Sequence, residues 1–485
     1  MYQLPAVDLV IKNARIVTSN GVMDGGVAVD EGKIVAVTSD TTLLDSSKVI
    51  DAGGLLLLPG LVDPECHMGA TRPIMEDMIS ETRAAGAAGV TTWGLMQTSP
   101  TIKRPVKDIQ GPDDVPSFKE VLPEGIRIGE QNSLIDFYFT PILQTNSQAE
   151  EIPDYASQFG VTTYKYYLHQ KNPKHSKYWP MKVGFVSYDD RAIYLGMENA
   201  AKLAPRGRVC MHCENWEIAS IFEDRLIAAN SERTAATWDD KSPHFCEAHH
   251  VRSYAYLGKV TGCPIYIQHT TTQETIDEIR RARAEGIKIM AQTGHHYLSL
   301  SKHDGWRINV PLRDPETIAR LWIALAKGDI DCVGTDHIAH GPREQLEVKD
   351  DAWSVKGGFS SRVEALFPVM MGEGVNKGRI TIERLVQVCC ENTAKAFGLY
   401  PKKGVIAIGA DADLLLVDPK RVIKVSSEML HTCTGWSIYE GREFQGWPIL
   451  VVSRGEIIAE RPKDKDRAEI IGKSGRGKYL RREVT

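Results

Sequence analysis

Six side chains that could bind a divalent metal ion recur at equivalent places along the chain. Each lies at or just beyond the carboxyl end of an apolar, strand-like segment. They are Glu65, His67, Lys165, His212, His269 and Asp336. Imidazole nitrogens and carboxylate oxygens suit zinc, cobalt, manganese or iron. One such histidine alone is often an ordinary core residue, but the set together predicts a metal centre that activates water.

The spacing in residues 63–67 (DPECH) places two of these side chains on one face. In extended backbone, residues two apart point the same way, so Glu65 and His67 should face inward together. Cys66 should then point away and pack.

The elements that must position these residues alternate between strand-like and helix-like segments, which predicts a parallel sheet with helices outside it. Eight strands are predicted, enough to close a (β/α)8 barrel with its functional groups at the carboxyl ends of the strands. They span residues 55–63, 90–96, 135–141, 162–167, 208–213, 264–269, 287–292 and 329–336. Predicted helices include 273–285, 315–327 and 381–397.

Both chain ends read as short β-strands separated by turn signals such as Asn20-Gly21. Neither end alone offers two faces to bury, so we expect a small β-sandwich formed by both. The predicted divisions are 1–58 and 398–460 for the sandwich and 59–397 for the barrel. Residues 461–485 are rich in Lys, Arg and Gly, and we expect a tail that lies on a neighbouring subunit or stays mobile.

The composition suits a globular protein of ordinary charge. The 485 residues are 42% hydrophobic and 25% charged, with a formal net charge of −5, which gives no reason to expect a nucleic-acid partner. We find no secretory signal or membrane-spanning stretch, and the nine cysteines show no paired spacing, so a cytoplasmic protein with reduced thiols is expected. No phosphate-binding glycine motif precedes a helix, which argues against a nucleotide cofactor.

The chain resembles the hydantoinase, dihydropyrimidinase and allantoinase branch of the amidohydrolase superfamily over nearly its whole length. The resemblance is densest in PGLVDPECH (59–67), GVTTYKYY (160–167), MHCEN (211–215), PIYIQHTTTQ (264–273), GTDH (334–337) and residues 391–419. It implies a metal-dependent hydrolase of a C–N bond in an amide, cyclic amide, ureide, carbamate or thiocarbamate. It also implies one or two divalent ions (zinc, cobalt or manganese) and a homotetramer or homodimer.

Such proteins supply two histidines from the first strand, a carboxylated lysine that bridges two metals, two further histidines and an aspartate. His67, Lys165, His212, His269 and Asp336 match this pattern, and Glu65 stands where the first histidine is expected.

Two outcomes are open for this departure. Glu65 could replace imidazole as a ligand beside a carboxylated Lys165, which the matching strand around Lys165 favours. Alternatively, it could pair with an unmodified Lys165 and leave one metal.

The resemblance assigns Asp336 as the general base and acid that moves the proton between the metal-activated water and the leaving nitrogen. The substrate contacts differ from the family. Gln170 stands where a tyrosine usually holds the oxyanion, with His169 and Tyr167 as further candidate donors. His295 and His296 replace part of a Cys-Pro-Gln segment, either in the pocket or at the surface. These changes favour an unusual amide, such as a linear or man-made one, over plain hydantoin or dihydrouracil.

Two other functions stay open at this point. A scaffold without activity is consistent with Glu65, but it gives no reason to keep five matching ligand positions buried together. A mononuclear deaminase or dechlorinase of a heterocycle would use a histidine between strands, for which His250 and His296 are the candidates.

Overall fold

The computed structural model describes residues 6–39, 45–105, 108, 115–168, 189–339, 351–353 and 360–483. The first strands are β1 (Leu9–Thr18), β2 (Gly21–Asp30), β3 (Lys33–Thr38), β4 (Val49–Asp51) and β5 (Leu56–Pro59). The central strands are β6 (Leu61–His67), β7 (Val90–Thr98), β8 (Asp136–Ile142), β9 (Thr163–Tyr167), β10 (Arg208–His212), β11 (Ile265–Ile267), β12 (Ile289–Gly294), β13 (Cys332–Gly334) and β14 (His337–Ile338). The last are β15 (Leu414–Lys424), β16 (Glu443–Ser453), β17 (Glu456–Glu460) and β18 (Glu469–Ile470).

The central strands form a closed barrel. They hydrogen-bond in the order β13-β12-β11-β10-β9-β8-β7-β6-β14, and the pairs are parallel. The two strands at the ends of this order are parts of one chain segment, interrupted only by Thr335 and Asp336. The sheet therefore closes on itself as an eight-stranded barrel, with Asp336 at the interruption, which confirms the predicted fold class.

Helices cover the outside of the barrel between the strands. They are α1 (Ile74–Ala87), α2 (Ser99–Lys103), α3 (Phe118–Asn132), α4 (Asn146–Glu150), α5 (Ile152–Phe159), α6 (Asp190–Ala201), α7 (Trp216–Ala228), α8 (Ala235–Asp240), α9 (His244–Thr261), α10 (Gln273–Ala284), α11 (Pro315–Lys327), α12 (Leu366–Val369), α13 (Ile382–Val386) and α14 (Asn392–Ala396). Within the described ranges, no helix combines the length and apolar character needed to cross a bilayer.

The two chain ends share one sheet, as the sequence predicts. Its order is β18-β17-β16-β15-β5-β1-β2-β3, with β4 beside β1, so C-terminal β15 pairs directly with N-terminal β5. Buried aliphatic residues from both ends, among them Ile11, Val29, Leu414 and Val452, form a separate small core. Each end thus covers apolar surface that the other leaves open.

The first predicted strand, 55–63, is wrong in its extent. The chain divides at Gly60 into β5 of the terminal sheet and β6 of the barrel. A side chain cannot stand at this crossing, because a Cβ on Gly60 would lie 2.2 Å from Thr91 Oγ1. Strand β6 then continues through Glu65 and His67, which lie within the strand rather than after it.

Residues 461–483 pack on their own chain, which corrects the expectation of a mobile tail. Glu469–Ile470 form β18 of the terminal sheet, and the residues that follow contact the barrel. Leu480 N donates to Phe137 O at 2.8 Å, and the buried Arg482 donates from Nη1 to Thr163 Oγ1 and from Nη2 to Phe139 O, each at 2.7 Å. Charge content alone misled the prediction, because the charged end of Arg482 is bound by oxygens of the barrel strands.

A buried ion cluster joins the terminal sheet to the barrel. Lys403 Nζ lies 2.6 Å from Asp136, 3.0 Å from Asp411 and 2.8 Å from Asp413. Burial opposes the positive charge of Lys403, but the three carboxylates outweigh burial and raise its pKa above the ordinary value. Lys403 is therefore charged, and its loss would leave buried carboxylates without their shared cation.

We predict that Lys403→Met lowers the free energy of unfolding by about 3–5 kcal/mol, because it leaves buried carboxylates without the cation that balances them. Lys33→Met is the matched control, since Lys33 also pairs with Asp411 but its side chain is 44% exposed, and we expect a loss of only about 0–1 kcal/mol. Urea unfolding followed by circular dichroism measures both. Equal losses in the two variants would contradict this account of the domain contact.

Candidate metal centre

The six predicted ligand positions lie together at the carboxyl end of the barrel. Glu65, His67 and Asp336 offer ligand atoms that are all within 4.8 Å of one another, and all three residues are buried. The rings of His212 and His269 approach to 4.3 Å between centroids. Lys165 joins the group through Glu65, at 2.9 Å. Strands far apart in the sequence thus bring one polar cluster to one rim.

Two of these residues hold uncommon backbone conformations. His269 has φ 32° and Asp336 has φ 48°, in the left-handed region that residues other than glycine rarely adopt. Asp336 occupies the gap between β13 and β14, so the strain coincides with the interruption that turns its side chain toward the cluster. Such strain concentrates at functional sites, where neighbouring structure holds it in place.

The surroundings of His67 select the nitrogen that can bind a metal. Nδ1 lies 2.9 Å from the carbonyl oxygen of Met96 and donates its proton there. Nε2 is then the nitrogen left to face the cluster, 3.0 Å from Tyr167 Oη and 3.4 Å from Asp336 Oδ1. A carbonyl partner of this kind fixes the tautomer of a metal-binding histidine.

His212 and His269 are held in the neutral form that metals require. Burial lowers the pKa of His212 well below its ordinary value, and the nearby His269 and Lys165 act in the same direction. Burial likewise lowers the pKa of His269, against the opposing charges of Glu65 and Asp336. Neither ring nitrogen of His269 has a hydrogen-bond partner in the described part of the chain. A buried imidazole left this way fits a metal ligand.

Asp336 is the ionised carboxylate of the cluster. Burial alone would raise its pKa, but contact with His67 and the charge of Arg362 outweigh burial and hold the pKa well below its usual range. Arg362 Nη1 donates to Asp336 Oδ2 at 3.2 Å and to His296 Nε2 at 3.0 Å. The buried guanidinium therefore fixes one oxygen of Asp336 and leaves the other beside His67.

Glu65 has a different set of neighbours. Its Oε1 accepts hydrogen bonds from Lys165 Nζ, at 2.9 Å, and from Gln268 Nε2. Its Oε2 accepts one from Gln292 Nε2 at 2.5 Å. The side chains of Glu65 and its three partners are all buried. The charge of the carboxylate is therefore balanced by Lys165, and its oxygens accept hydrogen bonds from protein groups instead of water.

The donor set fits a divalent ion. His67, His212, His269 and Asp336 provide three neutral imidazoles and one carboxylate, a combination that suits zinc, cobalt or manganese. The unpartnered nitrogens of His269 are the observation that supports this fit. A second group of possible ligands, Asp239, His244 and Asp314, is a weaker candidate for a metal site. Both oxygens of Asp239 are already bound, by Arg313 at 2.6 Å and Lys302 at 3.0 Å.

The candidate substrate-binding residues have different placements. Tyr167 lies in the cluster, with its ring 4.1 Å from Lys165 Nζ. His296 is buried and is linked to Asp336 through Arg362, whereas His295 is buried with its ring centroid 5.7 Å from that of Tyr439. Neither histidine is at the surface, and burial lowers the pKa of His295 to about 3. His169 and Gln170 lie outside the described residues.

Three residues of the site, Arg362, Gln268 and Gln292, were not predicted from the sequence. The positions of the two glutamines in the sequence could have predicted them. Gln292 lies at the carboxyl end of its predicted strand, and Gln268 shares an alternation face with Tyr266, which is buried in the barrel interior. Arg362 follows the last barrel strand in irregular chain, and no periodicity marks it. The prediction that Cys66 packs agrees with its place in the main apolar core.

Comparisons with known proteins agree with this geometry. Residues 261–458 match the model of the amidohydrolase family. An allantoinase of Enterococcus faecalis is 31% identical over 471 residues, covering 93% of this chain and 95% of the relative. An L-hydantoinase of Paenarthrobacter aurescens is 28% identical over 488 residues, covering 98% of both chains.

A solved structure extends the likeness to three dimensions. The L-hydantoinase (dihydropyrimidinase) from Arthrobacter aurescens superposes with a TM-score of 0.82 at 26% identity, covering 98% of this chain and 99% of its own. The shared fold, the full-length sequence similarity and the cluster of ligand side chains agree. The chain therefore belongs to the amidohydrolase family, in the branch that includes the hydantoinases, dihydropyrimidinases and allantoinases.

Proposed function

We propose that this protein hydrolyses a C–N bond in a small amide-type substrate by means of a bound divalent metal ion. The observation that carries the proposal is the convergence of His67, His212, His269 and Asp336 from different strands onto one buried rim. A scaffold that had lost activity would gain nothing from burying these groups together, because buried polar groups without a ligand destabilise the fold.

The chain's own residues divide the work of binding. His67, His212, His269 and Asp336 would hold the ion, with His67 oriented by Met96 O. When bound, a divalent ion of this kind lowers the pKa of water from about 15.7 to about 7 and polarises a substrate carbonyl. The buried walls limit access of bulk water to the reacting groups, which strengthens electrostatic interactions there.

Asp336 is positioned to move the proton. Its low pKa keeps it ionised near neutral pH, and Arg362 holds Oδ2 so that Oδ1 stays on the His67 side. We assign Asp336 to accept a proton from the attacking water and to return it to the leaving nitrogen. Tyr167 Oη lies 3.0 Å from His67 Nε2 and is the described candidate for hydrogen bonding to the developing oxyanion.

The substrate class follows from the relatives, whose names include hydantoinase, allantoinase and dihydropyrimidinase. We propose a cyclic amide, a ureide, or a linear amide, carbamate or thiocarbamate. The linear group is included because Gln170 stands where the family has a tyrosine, and because Val355-Lys356-Gly357-Gly358 stands where ring-opening members of the family have a Pro-Asn-Gly turn. Those positions lie outside the described residues.

We also propose a cellular compartment and an oligomeric state. All nine cysteines are free thiols, which supports action in the reducing cytoplasm. A homotetramer or homodimer is proposed from the resemblance to this branch.

Removal of the metal should abolish hydrolysis while leaving the fold. We expect a chelator to reduce turnover of a responsive amide to background, and zinc, cobalt or manganese to restore it, because the metal supplies the activated water. The measurement is a panel of cyclic and linear amides, assayed with protein loaded with each metal in turn. Full activity in protein shown to be metal-free would rule out the proposal.

Replacing Asp336 should slow the chemistry even in protein in which His67, His212 and His269 still hold the ion. We expect Asp336→Asn to lower kcat by about 10²–10⁴-fold, because amide oxygen is a poor base. Asp329→Asn is the control, since Asp329 forms a surface ion pair with Arg280 and should leave kcat within about twofold. Metal content is measured on both. Near-normal turnover in metal-loaded Asp336→Asn protein would remove Asp336 from this role.

A further inference from the structure

We infer that Glu65 and an unmodified Lys165 form a permanent buried ion pair, so that the site holds one divalent ion instead of two ions bridged by a carboxylated lysine. This inference rests on the proposed function, because it specifies how the proposed metal centre is built. It departs from the bridged arrangement that the family resemblance implies, and it reverses the expectation that Lys165 is modified.

The hydrogen bonds of Glu65 favour its pairing with an unmodified Lys165. Lys165 Nζ donates to Oε1 at 2.9 Å, and neither side chain has any exposed surface. Gln268 Nε2 donates to the same oxygen, and Gln292 Nε2 donates to Oε2 at 2.5 Å. Oε1 therefore accepts two hydrogen bonds, and Oε2 accepts a third. These three hydrogen bonds occupy most of the roughly four acceptor positions of a carboxylate, which leaves Glu65 little capacity for metal binding.

The charge of Lys165 also favours the unmodified side chain. Carboxylation joins the lysine nitrogen to carbon dioxide with release of two protons, which converts the ammonium cation into a carbamate anion. Where the family has a neutral imidazole, this chain has the carboxylate of Glu65. A carbamate on Lys165 would therefore place two anions side by side in a fully buried place until divalent ions were bound, whereas the ammonium neutralises Glu65 without any ion.

The aromatic ring beside Lys165 also favours the ammonium form. Lys165 Nζ lies 4.1 Å from the centroid of the Tyr167 ring. The electron-rich face of a tyrosine ring attracts a cation and repels an anion. Glu65 on one side and the Tyr167 ring on another therefore both stabilise the charged ammonium.

The remaining donors are sufficient for one ion. With Glu65 engaged by Lys165, the ion would be held by His67 and Asp336, whose ligand atoms lie within 4.8 Å of each other, and by the neighbouring buried His212 and His269. Three or four protein ligands with a position left for water are the usual composition of a catalytic zinc-type site. Glu65 and Lys165 then act as a positioning pair beside the site, linked to it through the Tyr167 ring, whose hydroxyl lies 3.0 Å from His67 Nε2.

Metal analysis of the wild-type protein is the first test. The protein is saturated with cobalt or manganese with and without ¹³C-bicarbonate, desalted, and measured for metal per chain and for a carbamate ¹³C NMR signal. We expect one ion per chain and no carbamate signal under either condition. Two ions per chain with a bicarbonate-dependent carbamate signal would overturn the inference. A chain that binds no ion would instead overturn the proposed function.

A double variant tests whether the pair contributes ligands. Glu65→Gln/Lys165→Met removes both charges while keeping similar volume, and the neutral amide that it introduces is a much poorer ligand than a carboxylate. We expect the folded double variant to retain one ion per chain with affinity within about threefold of wild type. Loss of all metal from a folded double variant would show that the pair is part of the ligand set and would overturn the inference.

Restoring the family residue tests the converse. We expect Glu65→His to gain a carbamate signal and a second ion per chain only when bicarbonate is supplied, with spin coupling in the EPR spectrum of the manganese form. Glu81→Gln is the matched control, because Glu81 is a buried carboxylate paired with His337 outside the cluster, and it should keep one ion. A folded Glu65→His protein that stays at one ion with no carbamate would contradict the role given to Glu65.

Discussion

The site depends on how charge is balanced where water is excluded. The barrel rim buries Glu65, Lys165, Asp336 and Arg362 within one cluster, and each charge there must meet a partner or a ligand to remain in the folded state. The structure meets this requirement in pairs. Glu65 is matched by Lys165, and one oxygen of Asp336 is matched by Arg362. The polar atoms that remain at the centre include imidazole nitrogens and the second oxygen of Asp336.

This arrangement links the fold to the proposed chemistry. The last barrel strand is interrupted at Asp336, between β13 and β14, and at this interruption the carboxylate lies 3.4 Å from His67 Nε2. Burial keeps His212 and His269 neutral, and neutral imidazole is the form that binds metal. The same exclusion of water that makes unpaired charge costly thus prepares the ligands and the base.

Alternation and apolar spacing predicted the barrel and most of the site. The helix Pro315–Lys327 begins and ends where it is predicted, because Asp314 caps its first turn and Gly328 ends it in a left-handed conformation. The ligand positions followed from their places at strand ends. The division at Gly60 and the packing of Arg482 could not be predicted, because both depend on contacts with distant parts of the chain. Arg362 was missed for the same reason, since only the folded structure brings it to Asp336.

The proposed chemistry requires that His67, His212, His269 and Asp336 hold an ion. Anomalous X-ray scattering from crystals grown with cobalt, recorded on both sides of the metal absorption edge, tests this requirement most directly. We expect an anomalous peak about 2.0–2.2 Å from ligand atoms of these residues. Metal-saturated crystals with no peak among these side chains would contradict it.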